Sequence, residues 1–226
     1  MHPYQKTKII SELPMSYLHL GKTEASSVNQ NPRPLLLFVH GFTDTAHGFL
    51  RRAYPDETMD ARFEILAPNG IFPVPQKIEK GWREAYAWYF AESRDTAIIP
   101  PAVGADAIGK LLAQLNLQDR EKVIVGFSQG GFLIPHLLQR LKNVKKAIGI
   151  GCAYRVEDYP EGSSTVIDGI HGTEDDVVGF ERGRDSFAAL QAKNPQGHFH
   201  AIAGLKHTMN DESRALLKKL ISESIS

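Results

Sequence analysis

Several runs of this chain are apolar without interruption. "LLLFVHG" (Leu35 to Gly41), "FEILAP" (Phe63 to Pro68) and the "KVIVG" that opens Lys122 to Gly126 are short and end at glycine or proline. Continuous rather than alternating hydrophobicity suits a strand covered on both faces, as in a parallel sheet. "KKAIGIGCA", "STVIDGIHG" and "GHFHAIAG" read as further strands. Between them lie helical patterns. Ala107, Ile108, Leu111, Leu112 and Leu115 share one helix face, "FLIPHLLQRLKN" is helical with Pro135 expected to distort its early turns, and "FERGRDSFAALQAKN" follows. "DESRALLKKLISES" closes the chain with acidic residues at its start. Strands alternating with helices predict an α/β fold, a mostly parallel central sheet with helices on both faces.

The remaining segments are less regular. Lys8 to Gly21 has room for one or two short antiparallel strands, and Glu24 to Pro34 reads as a loop. "TAHGFLRRAYPDETMDARF" carries weak helix signals. Asn69 to Pro101 is rich in proline and aromatics and reads as a long ordered loop with one helical turn. The 226 residues are expected to form a single domain, 1–226.

In sheets of this kind, sites form beyond the carboxyl ends of the strands. Four strand ends here carry "HGFTD", "GFSQGG", "HGTEDDVV" and "GLKHTMND": a serine, an acidic cluster, histidines and glycines. Gly126-Phe127-Ser128-Gln129-Gly130 fits the G-x-S-x-G turn, in which a serine at the tip of a strained strand-to-helix bend is exposed. Neighbouring chains approach closely there, so side chains two residues either side of the serine would clash. An ordinary turn serine is the competing reading, and the strand before and helix after Ser128 argue against it.

A serine hydroxyl needs a base to become a good nucleophile. Of nine histidines, His207 lies beyond the last strand, where a loop can carry it over Ser128. His198 and His200 lie within that strand, whereas His40 and His171 sit in His-Gly turns and are expected to hold loops by hydrogen bonds. The base in turn needs a carboxylate. Asp168 is inside its strand; Glu174, Asp175 and Asp176 all lie in the turn, and local physics does not separate these three.

Composition excludes other classes. Twenty-six basic and 26 acidic residues give a net charge of zero, without the basic footprint of a nucleic-acid partner. No window approaches a membrane span and the first 21 residues hold no signal-like apolar core, so a cytoplasmic protein is expected. Cys152 is the only cysteine and reads as a packing residue. The histidines show no metal-ligand spacing, and neither metal nor cofactor is expected.

Together "LLLFVHGFTDTAHGF", "ILAPNG", "AYAWY", "VIVGFSQGG", "HGTEDDVV" and "GLKHTM" resemble the α/β-hydrolase superfamily, within it the small carboxylesterase, lysophospholipase and acyl-protein-thioesterase group. The resemblance implies an ester hydrolase. The group's H-G-x-x-D-x-x-V pattern falls on His171, Gly172, Asp175 and Val178, which selects Asp175 as the acid beside Ser128 and His207. It also implies an oxyanion hole made by the backbone N–H groups of Phe42 and Gln129. The short stretch between Cys152 and Thr165 leaves no room for a large lid, so an open cleft is expected. Its wall is assigned to Phe72, Trp82, Trp88 and Tyr89, facing a small-molecule or lipid ester.

Overall fold

The computed structural model describes residues 14–21, 32–55, 60–92 and 96–224. The chain runs β1 (Tyr17–Leu20), β2 (Leu35–Val39), α1 (Ala46–Ala53) and β3 (Glu64–Pro68). Six short strands follow: β4 (Phe72–Pro73), β5 (Gln76–Ile78), β6 (Gly81–Arg83), β7 (Tyr86–Ala87), β8 (Phe90–Ala91) and β9 (Ala97–Ile99). The rest is α2 (Pro101–Gln114), β10 (Lys122–Phe127), α3 (Gln129–Leu138), β11 (Val144–Ile150), β12 (Val166–Gly172), α4 (Phe180–Lys193), β13 (Phe199–Ile202) and α5 (Asp211–Ser222).

Seven strands form the central sheet in the order β1-β3-β2-β10-β11-β12-β13. All neighbours are parallel except β1, which runs antiparallel to β3 at one edge. The uninterrupted apolar runs serve two cores at once. In β2, Leu36 and Phe38 face α1 and α5, packing with Phe49, Leu50, Leu217 and Ile221. Leu35, Leu37 and Val39 face the other way, toward Ile108 and Leu112 of α2 and Leu133 of α3. Successive strand side chains point to opposite faces, so a strand with helices above and below must be apolar at every position.

The order of strands places the site. From β2 the chain moves outward to β3, then returns to β10 on the other side of β2. The direction in which successive strands are added across the sheet reverses between the parallel neighbours β2 and β10, which makes the crevice above their carboxyl ends the topological switch point.

Helix ends follow their local chemistry. Thr45 caps α1 by accepting the Gly48 N–H, and Asn210 and Ser213 form a reciprocal capping box at α5, where Asp211 and Glu212 occupy the first turn. Pro135 lies within α3, which continues to Leu138.

The largest departure from expectation is Asn69 to Pro101. Rather than a loop with a helical turn, it forms three two-stranded ladders, β4–β7, β5–β6 and β8–β9. Its aromatic and β-branched residues suit extended backbone, its prolines oppose a helix, and Gly81 at φ +110° closes the β5–β6 hairpin. Strand β12 reaches Gly172, so His171-Gly172 is strand rather than turn. Residues 8–13 of the expected N-terminal strands and 24–31 of the expected loop lie outside the described residues. Between Ile150 and Val166 the chain carries only a 3-10 turn at Val156–Asp158, and no large lid is present there. Among the described residues, no helix is long and apolar enough to cross a membrane.

Candidate active site

Ser128 sits where β10 becomes α3, with φ 49° and ψ −116°. A β-carbon in this left-handed region is strained by about 1–2 kcal/mol. Two hydrogen bonds hold it there: the Ser128 N–H donates to the Ile150 carbonyl at 2.8 Å, and its own carbonyl accepts from the Phe132 N–H at 3.0 Å. The glycines around it are sterically required. A β-carbon on Gly126 would lie 2.4 Å from the Gly130 oxygen, and one on Gly130 would lie 2.0 Å from the Val39 oxygen. One on Gly131 would meet the Cys152 sulfur at 2.6 Å. That sulfur is buried, and burial pushes its thiol up to about 12, which keeps it unreactive packing material.

The acidic turn after β12 resolves into different environments. Glu174 and Asp176 face solvent, whereas Asp175 turns inward, with 1% of its side chain exposed. Its Oδ1 accepts from the N–H groups of Val177 at 3.0 Å and Val178 at 2.8 Å. Its Oδ2 accepts from His207 Nδ1 at 2.7 Å and lies 3.3 Å from His171 Nε2. A buried carboxylate survives only when its oxygens are met by donors in this way. Asp168 lies deeper in β12, 3.1 Å from Lys146 Nζ.

His207 lies in the loop between β13 and α5, its ring 5.0 Å from that of Phe127. A β-carbon on Gly151, at φ +55°, would lie 3.2 Å from the imidazole and 3.3 Å from Asp175 Oδ2. Gly151 directly follows Ile150, the acceptor of the Ser128 N–H. Serine turn, imidazole and carboxylate therefore gather at the carboxyl ends of β10, β11 and β12. With Nδ1–H donated to Asp175, the neutral His207 ring keeps Nε2 as a proton acceptor.

The loop after β2 closes the other side. A β-carbon on Gly41 would lie 3.4 Å from Ser128 Cβ, so the chain runs against the serine turn at Gly41, the residue before Phe42. His40 before them is fully buried. Its Nδ1–H donates to the Gly41 carbonyl at 2.7 Å, and Nε2 accepts from the Gly70 N–H at 2.9 Å. Burial brings the His40 imidazolium down to about 4, so the neutral Nδ1–H tautomer prevails. The roles expected of His40 and His171 as holders of loops match these bonds, since His171 Nε2 also donates to the Val178 carbonyl at 2.7 Å. Missing from the sequence reading was the approach of His171 to Asp175 itself.

The four aromatics assigned to a cleft wall separate. Phe72 reaches the site through Phe90, which packs 5.5 Å from Phe72 and edge-on, 6.1 Å, to Phe42. Tyr89 is half-buried, and burial pushes its phenol up. Trp82 stands 68% exposed on the β5–β6 hairpin. Trp88 has no exposed surface and cannot form a wall; its indole N–H has a buried acceptor in the His40 carbonyl at 2.9 Å, which draws it into the core. Phe90 and the ring of Phe42 were not singled out in the sequence. "AYAWYF" offers several adjacent apolar rings, and only the path of the ladders decides which face outward. Among the described residues, no group of three or more His, Cys, Asp or Glu side chains is arranged to hold a metal ion.

A mostly parallel sheet with a strained serine turn at its switch point, and a histidine–carboxylate pair beyond later strands, defines an α/β-hydrolase. The chain belongs to the phospholipase/carboxylesterase family, which matches residues 21–225. In fold it is similar to acyl-protein thioesterase 2 of Zea mays, with a TM-score of 0.67 and 17% identity over 95% of this chain and 100% of that one. A carboxylesterase of Bacillus cereus is similar at a TM-score of 0.65 and 14% identity, covering 93% of this chain and 95% of that one. One from Mesorhizobium loti gives a TM-score of 0.62 and 16% identity, covering 95% and 98%. At such identities the likeness is one of fold.

Proposed function

We propose that this protein is a serine hydrolase that cleaves carboxylic esters through an acyl-serine intermediate, with Ser128 as nucleophile, His207 as base and Asp175 as the carboxylate that orients it. The observation that carries this reading is the 2.7 Å bond from His207 Nδ1 to Asp175 Oδ2, made against Gly151 beside the strained serine turn. It leaves Nε2 to accept the Ser128 proton as Oγ attacks the ester carbonyl. The carbonyl oxygen becomes an oxyanion, received by the backbone N–H groups of Phe42 and Gln129. Gln129 is the first residue of α3, where N–H groups lack intrahelical partners and the helix dipole favours negative charge. His207 then returns its proton to the leaving alcohol, and the C–O bond breaks. Water, activated by the same imidazole, releases the acid and restores Ser128.

The acyl or alkyl portion is assigned to the strip of Phe42, Phe90 and Phe72, joined by Tyr89 and the outlying Trp82. An apolar strip without a large lid suits short- to medium-chain acyl or aryl esters. Lysophospholipids and acyl thioesters are the alternative substrates for the same machinery. A non-catalytic binding protein on this fold is the opposing class, since fold does not guarantee activity.

The test is covalent labelling with a fluorophosphonate. Labelling of the wild type that disappears in Ser128→Ala supports the hydrolase. An absent adduct on folded protein, or equal labelling of the variant, favours a binding role. A p-nitrophenyl ester series from acetate to palmitate, run beside lysophospholipid and acyl-thioester substrates, then orders the substrate classes.

A further inference from the structure

We propose that Trp88 is a positioning residue for the oxyanion hole, coupling the loop that carries Phe42 to the helix that begins at Gln129. This rests on the assignment of those two backbone amides above. Two buried links meet at Trp88, and a third, partly buried, ends on its neighbour Tyr89. Its backbone N–H donates to Gln129 Oε1 at 2.9 Å, and Gln129 Nε2 donates to the next carbonyl, Tyr89, at 2.9 Å. The Gln129 side chain thus clamps two peptide groups of the β7–β8 connection, Ala87–Trp88 and Tyr89–Phe90, to the start of α3. The Trp88 indole N–H donates to the His40 carbonyl at 2.9 Å, two residues before Phe42. His40 is in turn bonded to the Gly41 carbonyl and the Gly70 N–H, with its ring 5.0 Å from the indole.

The two amides have to face one oxygen, yet they come from different strand ends and share no direct covalent route. The sequence separation is 41 residues between Trp88 and Gln129 and 48 between Trp88 and His40. One residue makes both joins, its backbone N–H to Gln129 and its rigid indole to His40. Its position is itself fixed: a β-carbon on Gly104 of α2 would lie 2.8 Å from the Trp88 oxygen, and one on Gly70 would lie 2.4 Å from the Ala87 oxygen. Preorganised donors stabilise an oxyanion only when their spacing is held before the reaction, and displacement by about 1 Å costs on the order of 10²-fold. Trp88 touches no substrate; it acts by setting where the His40-Gly41-Phe42 backbone sits relative to Gln129.

The chain has two tryptophans, so Trp82→Phe gives a background in which position 88 alone is an indole. Replacing Trp88 there with benzothien-3-ylalanine puts sulfur where the indole carries N–H and preserves ring size and packing. The expected result is a fall in kcat for a p-nitrophenyl ester of about 10- to 100-fold, with KM within about threefold. The Ki of a trifluoromethyl ketone, whose hemiketal bears the oxyanion, should rise by the same factor as kcat/KM falls. Loosening of the core alone would not select the charged oxyanion. Leu190→Ala, in the same core cluster but on α4, should lower the urea midpoint with kcat within about twofold. A kcat within about threefold of the background, or an unchanged ketone Ki, would overturn the positioning role. Fluorophosphonate labelling of the wild type separates the two readings. No adduct at Ser128 overturns the hydrolase and this inference together, whereas an adduct with unimpaired turnover in the substituted protein overturns this inference alone.

Discussion

His207 and Asp175 meet at 2.7 Å, a bond between loops 32 residues apart that leaves the carboxylate 1% exposed and the imidazole 15% exposed. The carboxylate is enclosed while the imidazole keeps some exposed surface. That asymmetry suits a carboxylate that only orients and a ring that must exchange protons.

Asp175→Asn should therefore keep the fold and lose the chemistry. Asparagine Oδ1 can still accept from Val177 and Val178, but an amide facing His207 Nδ1 no longer favours a proton there. The ring turns to the tautomer that cannot take the Ser128 proton. A fall in kcat of about 10⁴-fold is expected, with the urea midpoint little changed. Steady-state ester hydrolysis checks it, and a variant within tenfold of wild type would remove Asp175 from its assigned role.

Two glycines should respond in opposite directions to alanine. On Gly130 the new methyl would lie 2.0 Å from the Val39 carbonyl oxygen, backbone against backbone, so a loss of about 3 kcal/mol or more is expected. Gly109, inside α2, has nothing within 4 Å of that position, and Gly109→Ala should gain about 0.5–1 kcal/mol. Urea unfolding measures both.

Acid sensitivity should arise in part from His40. Its pKa is 6.5 unfolded and brought down to about 4 by burial, so between these values the unfolded chain binds more protons. The stability due to its neutral form is complete above pH 6.5 and lost as the pH falls toward 4. The window corresponds to at most about 3 kcal/mol. His40→Gln should unfold at a lower urea concentration at pH 7 and show a shallower decline below pH 6.5. Parallel profiles for the two proteins would contradict this.

The two tryptophans should be optically distinct. Trp82 is 68% exposed and Trp88 fully buried, so acrylamide should quench one emission component and spare the other. In Trp82→Phe only the blue-shifted, protected component should remain, and stability should change by less than about 0.5 kcal/mol.

Much of this architecture was legible along the chain. Leu35 to Val39 had to be a doubly covered strand because both its odd and its even positions are apolar, and a covering on each face is what such a pattern demands. Ser128 announced itself through the glycines around it, since the close approach they permit is a local, backbone-scale requirement. His207 followed from its place after the last strand. The carboxylate that meets His207 was harder: Glu174, Asp175 and Asp176 are chemically alike and adjacent, and resemblance rather than local physics singled out Asp175.

Tertiary structure alone decided the rest. Which of three neighbouring carboxylates turns inward depends on the N–H groups of Val177 and Val178, on His171 at the end of the preceding strand and on His207 brought from a separate loop. Trp88 was assigned with its neighbours to a cleft wall, and only the His40 carbonyl and the Gln129 side chain show that it belongs inside. Periodicity and turn chemistry act over a few residues and leave their mark in the order of amino acids. A hydrogen bond across forty residues depends on the path of everything between its ends, which no short stretch of sequence records.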